Sequence, residues 1–429
     1  MKFPVLLPNI FNHPFTYECQ MKLKVGDFVE VPFGKNKIIG VVWNEFEKNS
    51  SKKFKIKKVI SKLDIPSLKK NILEFLNWFS EYNIVPKGMA LKLVLTSLGR
   101  PKSIDQKYYD EFVFNSQDSV VKLTSDQKKS LEQINNSNKK FNVHVLQGTT
   151  GSGKTFVYFE ALKNVLAKGF QGLILLPEIG LTSQFEKKFT EFFSFKPAIW
   201  HSSITKKNKE IIWNGIINGK ISVVIGARSS LFLPFKNLGL IIVDEEHDSS
   251  YKQEENVIYN ARDMAISRAS IENIPIHLIT SIPSLETYNN IKNKKYLKTV
   301  LNKRYENHPL PKSEVIDLNL ESLNKKSISN KTIEIVEEYL KKNNQILFFL
   351  NRRGYAPYLI CKKCGYRHIC PNCSIYLTYH KILNKIICHH CGYKSSSNRK
   401  CLDKKNFCDF SFYGPGVEKV FEELKGIFP

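Results

Sequence analysis

Hydrophobic positions in the first hundred residues follow two different spacings. Short β-like runs come first, at Asp27–Val31 and Ile38–Trp43. A stretch then follows in which apolar residues recur every three or four positions, as on one face of a helix: Ile72, Phe75, Leu76 and Phe79. The pattern predicts a small, mainly β domain with a helical end over residues 1–100.

Apolar runs alternate with helical patterns from residue 123 to about residue 301. The runs that have the composition of buried strands are Leu173–Leu176, Val223–Ile225, Leu240–Val243 and Ile276–Ile279. Such alternation predicts an α/β domain with a doubly wound parallel sheet, which we assign to residues 123–302. The polar, irregular segment 101–122 is predicted to be a linker, and residues 303–429 form a further region.

A glycine-rich segment lies between a strand-like run at Val143–Leu146 and a helical pattern that begins at Lys154. In that setting the backbone N–H groups of a Gly-x4-Gly-Lys-Thr loop cradle phosphates, the lysine reaches the β- and γ-phosphates, and the threonine binds Mg²⁺. We therefore predict a nucleoside triphosphate site. Its residues are Gly148, Thr149, Thr150, Gly151, Ser152, Gly153, Lys154 and Thr155.

A second chemical signal is the pair of carboxylates that follows the apolar run Leu238–Val243. An open α/β sheet binds its ligands at the carboxyl ends of the strands. We predict that Asp244 holds Mg²⁺ and that Glu245 orients or deprotonates the attacking water. ATP and Mg²⁺ are thus predicted cofactors, and Lys154, Asp244 and Glu245 are the predicted catalytic residues.

The charge of the chain favours a polyanionic partner. The formal net charge is +25, and each phosphate that a protein neutralises releases counterions from nucleic acid. Only nine of the 65 basic residues are Arg, however, and a surface rich in Lys, Asn and Ile also arises from an AT-rich gene. The chain has no apolar run of membrane-spanning length and no apolar segment of a signal peptide. The sequence therefore predicts a cytoplasmic protein without membrane contact.

Cysteines are concentrated near the end of the chain, where eight of nine lie between Cys361 and Cys408. In a cytosolic protein, repeated Cys-x2-Cys pairs indicate Zn²⁺ rather than disulfides. Two such pairs make one regular four-thiolate site: Cys370, Cys373, Cys388 and Cys391. We predict a zinc module at about 361–408, whose remaining cysteines are Cys361, Cys364, Cys401 and Cys408.

Several further segments identify a family when they are taken together with the phosphate-binding loop and the cysteines. They are Leu123–Thr124 with Gln127, Leu176–Ile179, Gly226–Phe232, Asp244–Gln253 and Asn351–Pro357. Over nearly its whole length the chain resembles the primosomal protein N′ family, the bacterial replication restart DNA helicases, which are superfamily-two motors. The resemblance implies a RecA-like fold for the ATP-binding lobe at 123–302, with Gln127 at the nucleotide.

The resemblance also assigns the flanking regions. It implies a 3′-end DNA-binding domain at 1–100 and the start of a second helicase lobe at 303–429. The winged-helix module that many relatives carry has no room between Pro101 and Leu123.

The family's DNA contacts map onto two groups of residues. In the N-terminal domain they fall on Phe15, Tyr17 and Lys57, where aromatic rings would stack on bases. Relatives carry an aspartate between the two aromatics, and Thr16 stands there in this chain, so recognition of a free 3′ end stays open. The alternative is that both aromatic residues belong to the core of a small barrel.

The second group resembles the family's aromatic-rich loop, which senses single-stranded DNA. Its residues are Tyr251, Lys252, Tyr259 and Arg262. The alternative is a surface loop with ordinary tyrosines.

The family's second zinc site pairs Cys361 and Cys364 with a final Cys-x2-Cys, here Cys401 and Lys404. Because lysine at neutral pH is a poor zinc ligand, the fourth position would fall to Cys408, to water, or to one of three histidines: His368, His389 and His390. We predict one secure zinc and leave the occupancy of the second site open.

Two departures from the family bear on motor activity. Ile279–Ile282 stands where relatives carry Gly-Ser-Ala-Thr, the motif that links hydrolysis to DNA movement. The sequence ends at Pro429 after one strand of the second lobe, Ile346–Leu350, before the arginines that complete the ATP site. From this we expect a fragment of a longer protein or a decayed gene product, with slow hydrolysis by the chain alone.

The resemblance implies an ATP-dependent 3′-to-5′ DNA helicase that recognises stalled forks and initiates replication restart through primosome assembly. The implied partners are forked and single-stranded DNA, primosome proteins and single-strand-binding protein, and a monomer is expected. Two alternatives stay open. One is a duplex DNA translocase of the restriction or remodelling type, which would lack the cysteine module. The other is a truncated ATP- and DNA-binding scaffold that docks on forks with weak activity.

Overall fold

The computed structural model describes residues 1–46, 56–96, 106–115, 121–137, 140–177, 183–305, 309, 311–319, 327–396 and 410–429. They form two compact units, Met1–Pro309 and Leu310–Pro429. In the described ranges, every helix is too short or too polar to span a bilayer.

The N-terminal sheet has six strands in the order β5-β2-β1-β4-β3-β6, and all pairs are antiparallel except β2 with β5. The strands are β1 (Lys2–Leu6), β2 (Phe15–Glu18), β3 (Phe28–Phe33), β4 (Asn36–Val42), β5 (Lys57–Lys58) and β6 (Ser61–Lys62). A small apolar cluster that includes Val29 and Val31 packs on this sheet. The predicted mainly β region is therefore confirmed.

Two helices follow the sheet, α1 (Lys70–Tyr82) and α2 (Lys87–Leu95), and they pack against the ATP-binding lobe. The ring of Phe79 lies edge-on to Phe232 at 5.1 Å, and the indole of Trp213 donates a hydrogen bond to the Val94 carbonyl at 2.9 Å. The two regions thus share one hydrophobic core. Periodicity marks the buried face of a helix but does not reveal which element covers it.

The described part of the predicted linker is also packed. Residues Gln106–Phe112 form a 3₁₀ helix, and the buried Tyr109 hydroxyl donates to the Ile211 carbonyl at 2.9 Å. The prediction of an irregular linker is therefore wrong for this part of 101–122. Other contacts hold the same segment: the Phe112 carbonyl accepts from the Ser222 N–H at 3.1 Å, and the ring of Phe114 lies edge-on to Phe195 at 5.9 Å. The polar composition of the segment does not reveal these anchors.

The ATP-binding lobe contains a seven-stranded, wholly parallel sheet in the order β15-β7-β14-β11-β8-β10-β9. Its strands are β7 (Val143–Gly148), β8 (Gln171–Leu175), β9 (Ala198–Trp200), β10 (Val223–Gly226), β11 (Leu238–Val243), β14 (Ile276–Thr280) and β15 (Leu297–Leu301). A short antiparallel pair, β12 (Lys252–Gln253) and β13 (Tyr259–Asn260), lies between β11 and β14 in the chain.

Helices cover both faces of this sheet: α3 (Ser125–Ser137), α4 (Lys154–Leu166), α5 (Ser183–Phe193), α6 (Lys206–Asn218), α7 (Ala261–Glu272) and α8 (Leu285–Lys292). Successive residues of β11 enter opposite cores, Ile241 and Val243 on one side and Leu240 and Ile242 on the other. That two-sided burial explains the continuous apolar runs in the sequence. The doubly wound parallel fold is confirmed.

The second unit contains α9 (Asn330–Lys341), β16 (Tyr358–Cys361), β17 (Thr378–His380), β18 (Lys385–Ile387), β19 (Lys394–Ser396), β20 (Phe410–Tyr413) and α10 (Val417–Ile427). Strand β16 pairs with β20, and β17, β18 and β19 form an antiparallel sheet.

The strand predicted at Ile346–Leu350 is not formed, and Leu347 and Phe349 are 88% and 85% exposed. A strand needs a neighbour for its backbone hydrogen bonds, and the described residues supply none beside this run.

Candidate nucleotide and metal sites

The phosphate-binding loop connects the end of β7 to the start of α4. Gly151 and Gly153 have φ angles of +82° and +78°, in the left-handed region that favours glycine. A Cβ atom on Gly153 would stand 2.3 Å from the Gln127 side-chain nitrogen. The loop therefore needs glycine at both positions, and its backbone N–H groups precede the positive end of a helix dipole.

Lys154 is buried at the base of the loop. Its Nζ donates to the carbonyls of Gly148 at 2.7 Å and Thr149 at 3.3 Å. Burial lowers the pKa of Lys154, while the carboxylates of Glu245 and Asp244 act in the opposite direction. The ammonium is thus held on its own loop, within reach of any phosphate that the loop binds.

Gln127, on α3, is buried beside the loop. Its Nε2 donates to the Ser152 carbonyl at 2.9 Å, and its Oε1 accepts from the Thr124 N–H at 2.9 Å. These contacts fix α3 to the phosphate-binding loop. The structure therefore places Gln127 beside the phosphate-binding loop, where it supports the loop backbone.

The predicted carboxylates emerge from the carboxyl end of β11. Oδ2 of Asp244 accepts from the Tyr158 hydroxyl at 2.9 Å, and Oδ1 accepts from the Glu245 N–H at 3.0 Å. Enclosure by the protein raises the pKa of Asp244 to about 6. Glu245 has a φ of +47°, an uncommon conformation for a residue with a side chain and one that concentrates at functional sites.

The loop and the carboxylates line one cavity of about 720 Å³. Lys188 and Tyr305 also line this cavity, and no sequence pattern predicts their position there. The Lys188 ammonium lies 4.5 Å from the centre of the Phe156 ring, and the Tyr305 N–H donates to the Gly151 carbonyl at 2.8 Å. Neither residue belongs to a motif, so only the fold brings them to the site.

Glu246 links the acidic motif to α7 and α8. This buried carboxylate accepts from the Ser284 N–H at 2.8 Å, from the Thr287 hydroxyl at 2.9 Å and from Arg262 Nη1 at 3.2 Å. Next to it, His247 Nδ1 lies 2.8 Å from the Thr280 hydroxyl. Ile279–Ile282 is the segment that differs from the family motif. Its Thr280 hydroxyl nevertheless contacts the acidic motif through His247.

The predicted DNA-sensing aromatics are in the core. Tyr251 donates its hydroxyl to the Leu175 carbonyl at 3.0 Å, and the ring of Tyr259 lies edge-on to Phe232 at 5.4 Å. Arg262 is buried in ion pairs. Neither ring has a face exposed to a base, and the guanidinium group is already paired. The structure therefore corrects the assignment of Tyr251, Tyr259 and Arg262 as DNA contacts. Lys252 is exposed, as a DNA contact would have to be.

In the N-terminal domain the predicted DNA contacts also divide into buried and exposed residues. Tyr17 is buried and donates to the Pro32 carbonyl at 3.2 Å, which supports the barrel-core alternative for this ring. Phe15 is half-buried and packs edge-on against the partly exposed Phe11 at 5.4 Å. Lys57 is exposed and pairs in register with Tyr17.

Four cysteines converge in the second unit: Cys370, Cys373, Cys388 and Cys391. Their Sγ atoms lie within 4.8 Å of one another, and both Cys370–Cys391 and Cys373–Cys388 are 3.4 Å apart. A tetrahedral zinc with Zn–S bonds of about 2.3 Å requires S···S separations of about 3.8 Å, so the set fits Zn²⁺. The N–H groups of Cys391 and His390 lower the pKa of Cys388, whereas the hydrogen bond to Cys388 raises the pKa of Cys373.

The predicted ligands of the outer zinc site lie partly outside the described residues. Cys361 is buried at the end of β16 and Cys364 is exposed, whereas Cys401 and Cys408 lie outside the described residues. Among the residues that are described, the inner four are the only group of three or more potential ligands. The outer site stays a prediction.

Comparison with known protein families gives three matches along the chain. Residues 4–96 match the 3′DNA-binding domain (3′BD) of PriA, residues 124–282 match the DEAD/DEAH box helicase family, and residues 370–395 match the PriA DNA helicase Cys-rich region.

Individual relatives agree with these matches. The replication restart protein PriA of Rickettsia conorii is 43% identical over 99% of this chain and 65% of its own length. PriA of Bacillus subtilis is 35% identical over 83% of this chain and 46% of its own length. The chain thus spans less than two thirds of the length of these relatives. Among solved structures, the Hef helicase domain of Pyrococcus furiosus has a TM-score of 0.33 and 14% identity, over 51% of this chain and 53% of that one.

Proposed function

Because the chain belongs to the PriA family of replication restart helicases, we propose that it acts as an ATP-dependent DNA helicase. The observation that carries the proposal is the shared cavity of Lys154, Thr155, Asp244 and Glu245. A lysine, a hydroxyl and two carboxylates around a phosphate-binding loop are the set that hydrolysis of a nucleoside triphosphate requires.

Each residue has a role that follows from its position. With a nucleotide bound, Lys154 would exchange the Gly148 carbonyl for the β- and γ-phosphates, and Asp244 and Thr155 would hold Mg²⁺. When bound, the ion neutralises charge on the phosphates. Glu245, at the same cavity, orients or deprotonates the attacking water.

The acidic motif also offers a route from the nucleotide to the rest of the lobe. His247 Nδ1 is 3.6 Å from the Glu245 carboxylate and 2.8 Å from the Thr280 hydroxyl. Glu246 holds the first turn of α8 through Ser284 and Thr287. We propose that a shift in the position of Glu245 is transmitted to α8 through His247 and Glu246.

DNA contact is proposed for the exposed members of the predicted set. Phe15 with Phe11 offers an apolar surface for a base, and Lys57 and Lys252 offer exposed ammonium groups for phosphates. The zinc module, held by the inner four cysteines, contributes a folded platform for DNA or protein contacts.

The finer assignments come from the family. We propose 3′-to-5′ movement, recognition of stalled forks and initiation of replication restart by primosome assembly. The proposed partners are forked and single-stranded DNA, primosome proteins and single-strand-binding protein. The proposed state is a monomer in the cytoplasm.

The test is ATP hydrolysis by the purified chain with and without forked DNA, together with strand displacement on forks that carry a 3′ or a 5′ tail. Lys154→Ala serves as the inactive control. Stimulated hydrolysis with displacement supports the helicase. Stimulated hydrolysis without displacement supports the duplex translocase, and nucleotide and DNA binding without hydrolysis supports the scaffold.

A further inference from the structure

Tyr158 joins the phosphate-binding helix to the acidic motif. It lies on α4, four residues after Lys154, and its side chain is fully buried. Its hydroxyl donates to Oδ2 of Asp244 at 2.9 Å, and the side chain of Thr155 interacts with the same hydroxyl. One phenol therefore touches both residues that bind Mg²⁺ under the proposed function.

The hydrogen bonds of Asp244 leave room for a cation. Its Oδ1 accepts one bond, from the Glu245 N–H, and its Oδ2 accepts one, from Tyr158. Each carboxylate oxygen has about two acceptor sites, so a site on each oxygen remains for a metal ion.

The chemical nature of the donor also matters. Two ammonium groups, Lys154 and Lys188, interact electrostatically with Asp244. A lysine bonded directly to the carboxylate would offset its charge and repel a divalent ion. The phenol orients the carboxylate without adding positive charge, so its negative charge stays available to the metal.

We propose that Tyr158 is a positioning residue of the Mg²⁺ site, whose hydroxyl holds the Asp244 carboxylate in the orientation that binds the ion together with Thr155. This inference rests on the proposed function, because it takes Asp244 and Thr155 as the ligands. The role belongs to the hydroxyl alone. The ring packs edge-on against Phe159 at 5.2 Å, and phenylalanine preserves that contact.

The experiment measures binding of a fluorescent ADP analogue to the full chain, once with Mg²⁺ and once with EDTA. The variant is Tyr158→Phe. The matched control is Tyr109→Phe, which also removes one buried hydroxyl from the same unit, where that hydroxyl donates to the Ile211 carbonyl. Thermal unfolding and circular dichroism of all three proteins show whether the fold is kept.

We expect Tyr158→Phe to bind the Mg²⁺ complex about tenfold more weakly, the scale for one hydrogen bond to a charged group. Binding in EDTA should stay within about twofold, since the loop and Lys154 are unchanged. The Mg²⁺ concentration for half-maximal binding should rise about tenfold, and excess Mg²⁺ should restore affinity. Tyr109→Phe should leave both affinities unchanged.

Other outcomes overturn the inference. Equal loss with Mg²⁺ and with EDTA assigns Tyr158 a structural role only, and so does a Tyr158→Phe chain that fails to fold where Tyr109→Phe folds. No loss at all removes any role for the hydroxyl. A wild-type chain that binds no nucleotide contradicts the proposed function itself, and that result is visible before any variant is compared.

Discussion

Arg262 and Glu246 form a buried ion pair, with Nη1 of the arginine 3.2 Å from Oε2 of the glutamate. The pair connects the residue after Glu245 to the first turn of α7. The sequence resemblance placed Arg262 among residues that sense DNA, whereas in the structure it forms buried ion pairs inside the lobe. Substitution of Arg262 should therefore lower the free energy of unfolding.

We predict that Arg262→Met lowers the free energy of unfolding of the first unit by about 3–5 kcal/mol, because it leaves the Glu246 carboxylate buried without its charged partner. All four tryptophans lie in residues 1–309, so urea titration followed by tryptophan fluorescence reports on this unit. Lys252→Ala, at an exposed cation nearby, should change stability by less than about 0.5 kcal/mol. Equal stability of Arg262→Met and wild type would contradict the role of the pair.

Nucleotide binding should depend on Lys154. We predict that Lys154→Ala abolishes binding of MgATP and MgADP in calorimetry, because no other ammonium lies on the Gly148 carbonyl at the base of the loop in the described structure. Lys168→Ala, an exposed lysine just after α4, is the matched control and should bind as the wild type does. Unchanged binding in Lys154→Ala would remove the assignment of the site.

Lys188 provides a test of what the fold adds to the motif. Lys188→Ala should weaken nucleotide binding about tenfold, because its ammonium is held at the cavity by the Phe156 ring and by Asp244. The adjacent Lys187 lies on the exposed face of α5, in an ion pair with Glu191, and Lys187→Ala should have no effect. Equal effects of the two variants would argue against a contact between Lys188 and the nucleotide.

Metal content should follow the inner cysteines. We predict at least one tightly held zinc per chain, lost in Cys391→Ser and retained in Cys19→Ser, whose cysteine lies in the other unit. Metal analysis after dialysis checks this. A native chain without zinc would overturn the module.

The predicted outer zinc site includes Cys401 and Cys408, which lie outside the described ranges. We expect between one and two zinc ions per native chain, with the outer one lost first to a chelator and removed in Cys408→Ser. Because Lys404 stands where relatives carry a thiolate, Lys404→Cys should raise the zinc content to two per chain if the family geometry is otherwise kept. Two equally tight ions that survive Cys408→Ser would contradict the role given to Cys408.

Two buried histidines should make the first unit sensitive to acid. Burial lowers the pKa of His144 to about 4 and that of His277 to about 3. The two residues pair in register on the neighbouring strands β7 and β14, and their rings are 6.3 Å apart. In the unfolded chain histidine has a pKa of about 6.5, so below that pH the unfolded state binds more protons than the folded state. Stability should be fully present above about pH 6.5 and should fall as the pH drops towards 4.

The expected size is about 2 kcal/mol per histidine at pH 5 relative to neutral pH. Urea titrations at several pH values, again followed by tryptophan fluorescence, measure it. The double variant His144→Gln with His277→Leu should remove this loss between pH 6.5 and 4.5, whereas His201→Gln, outside the sheet, should keep it. What remains in the double variant should include the opposite contribution of Asp244, whose raised pKa of about 6 favours the folded state as the pH falls. A dependence that persists unchanged in the double variant would show that other groups carry it.

The sequence by itself determined the parts of this protein whose chemistry depends on neighbouring residues in the chain. The loop Gly148–Thr155 requires glycine for its backbone, Asp244 and Glu245 follow a buried strand, and paired cysteines bind metal through short turns. Strand and helix patterns were also readable, because burial on both faces of a parallel sheet leaves continuous apolar runs.

Tertiary structure alone decided which surfaces meet. Tyr251 and Tyr259 belong to a segment that resembles a stacking loop, yet both are buried in the hydrophobic core of the first unit, because an aromatic residue is suited to a base and to a hydrophobic interior alike. Lys188 lines the cavity from α5, and Tyr158 contacts Asp244 from the second turn of α4, although neither residue is part of a sequence motif. Ile346–Leu350 has the pattern of a strand, but a pattern cannot supply the neighbouring strand that its backbone hydrogen bonds require.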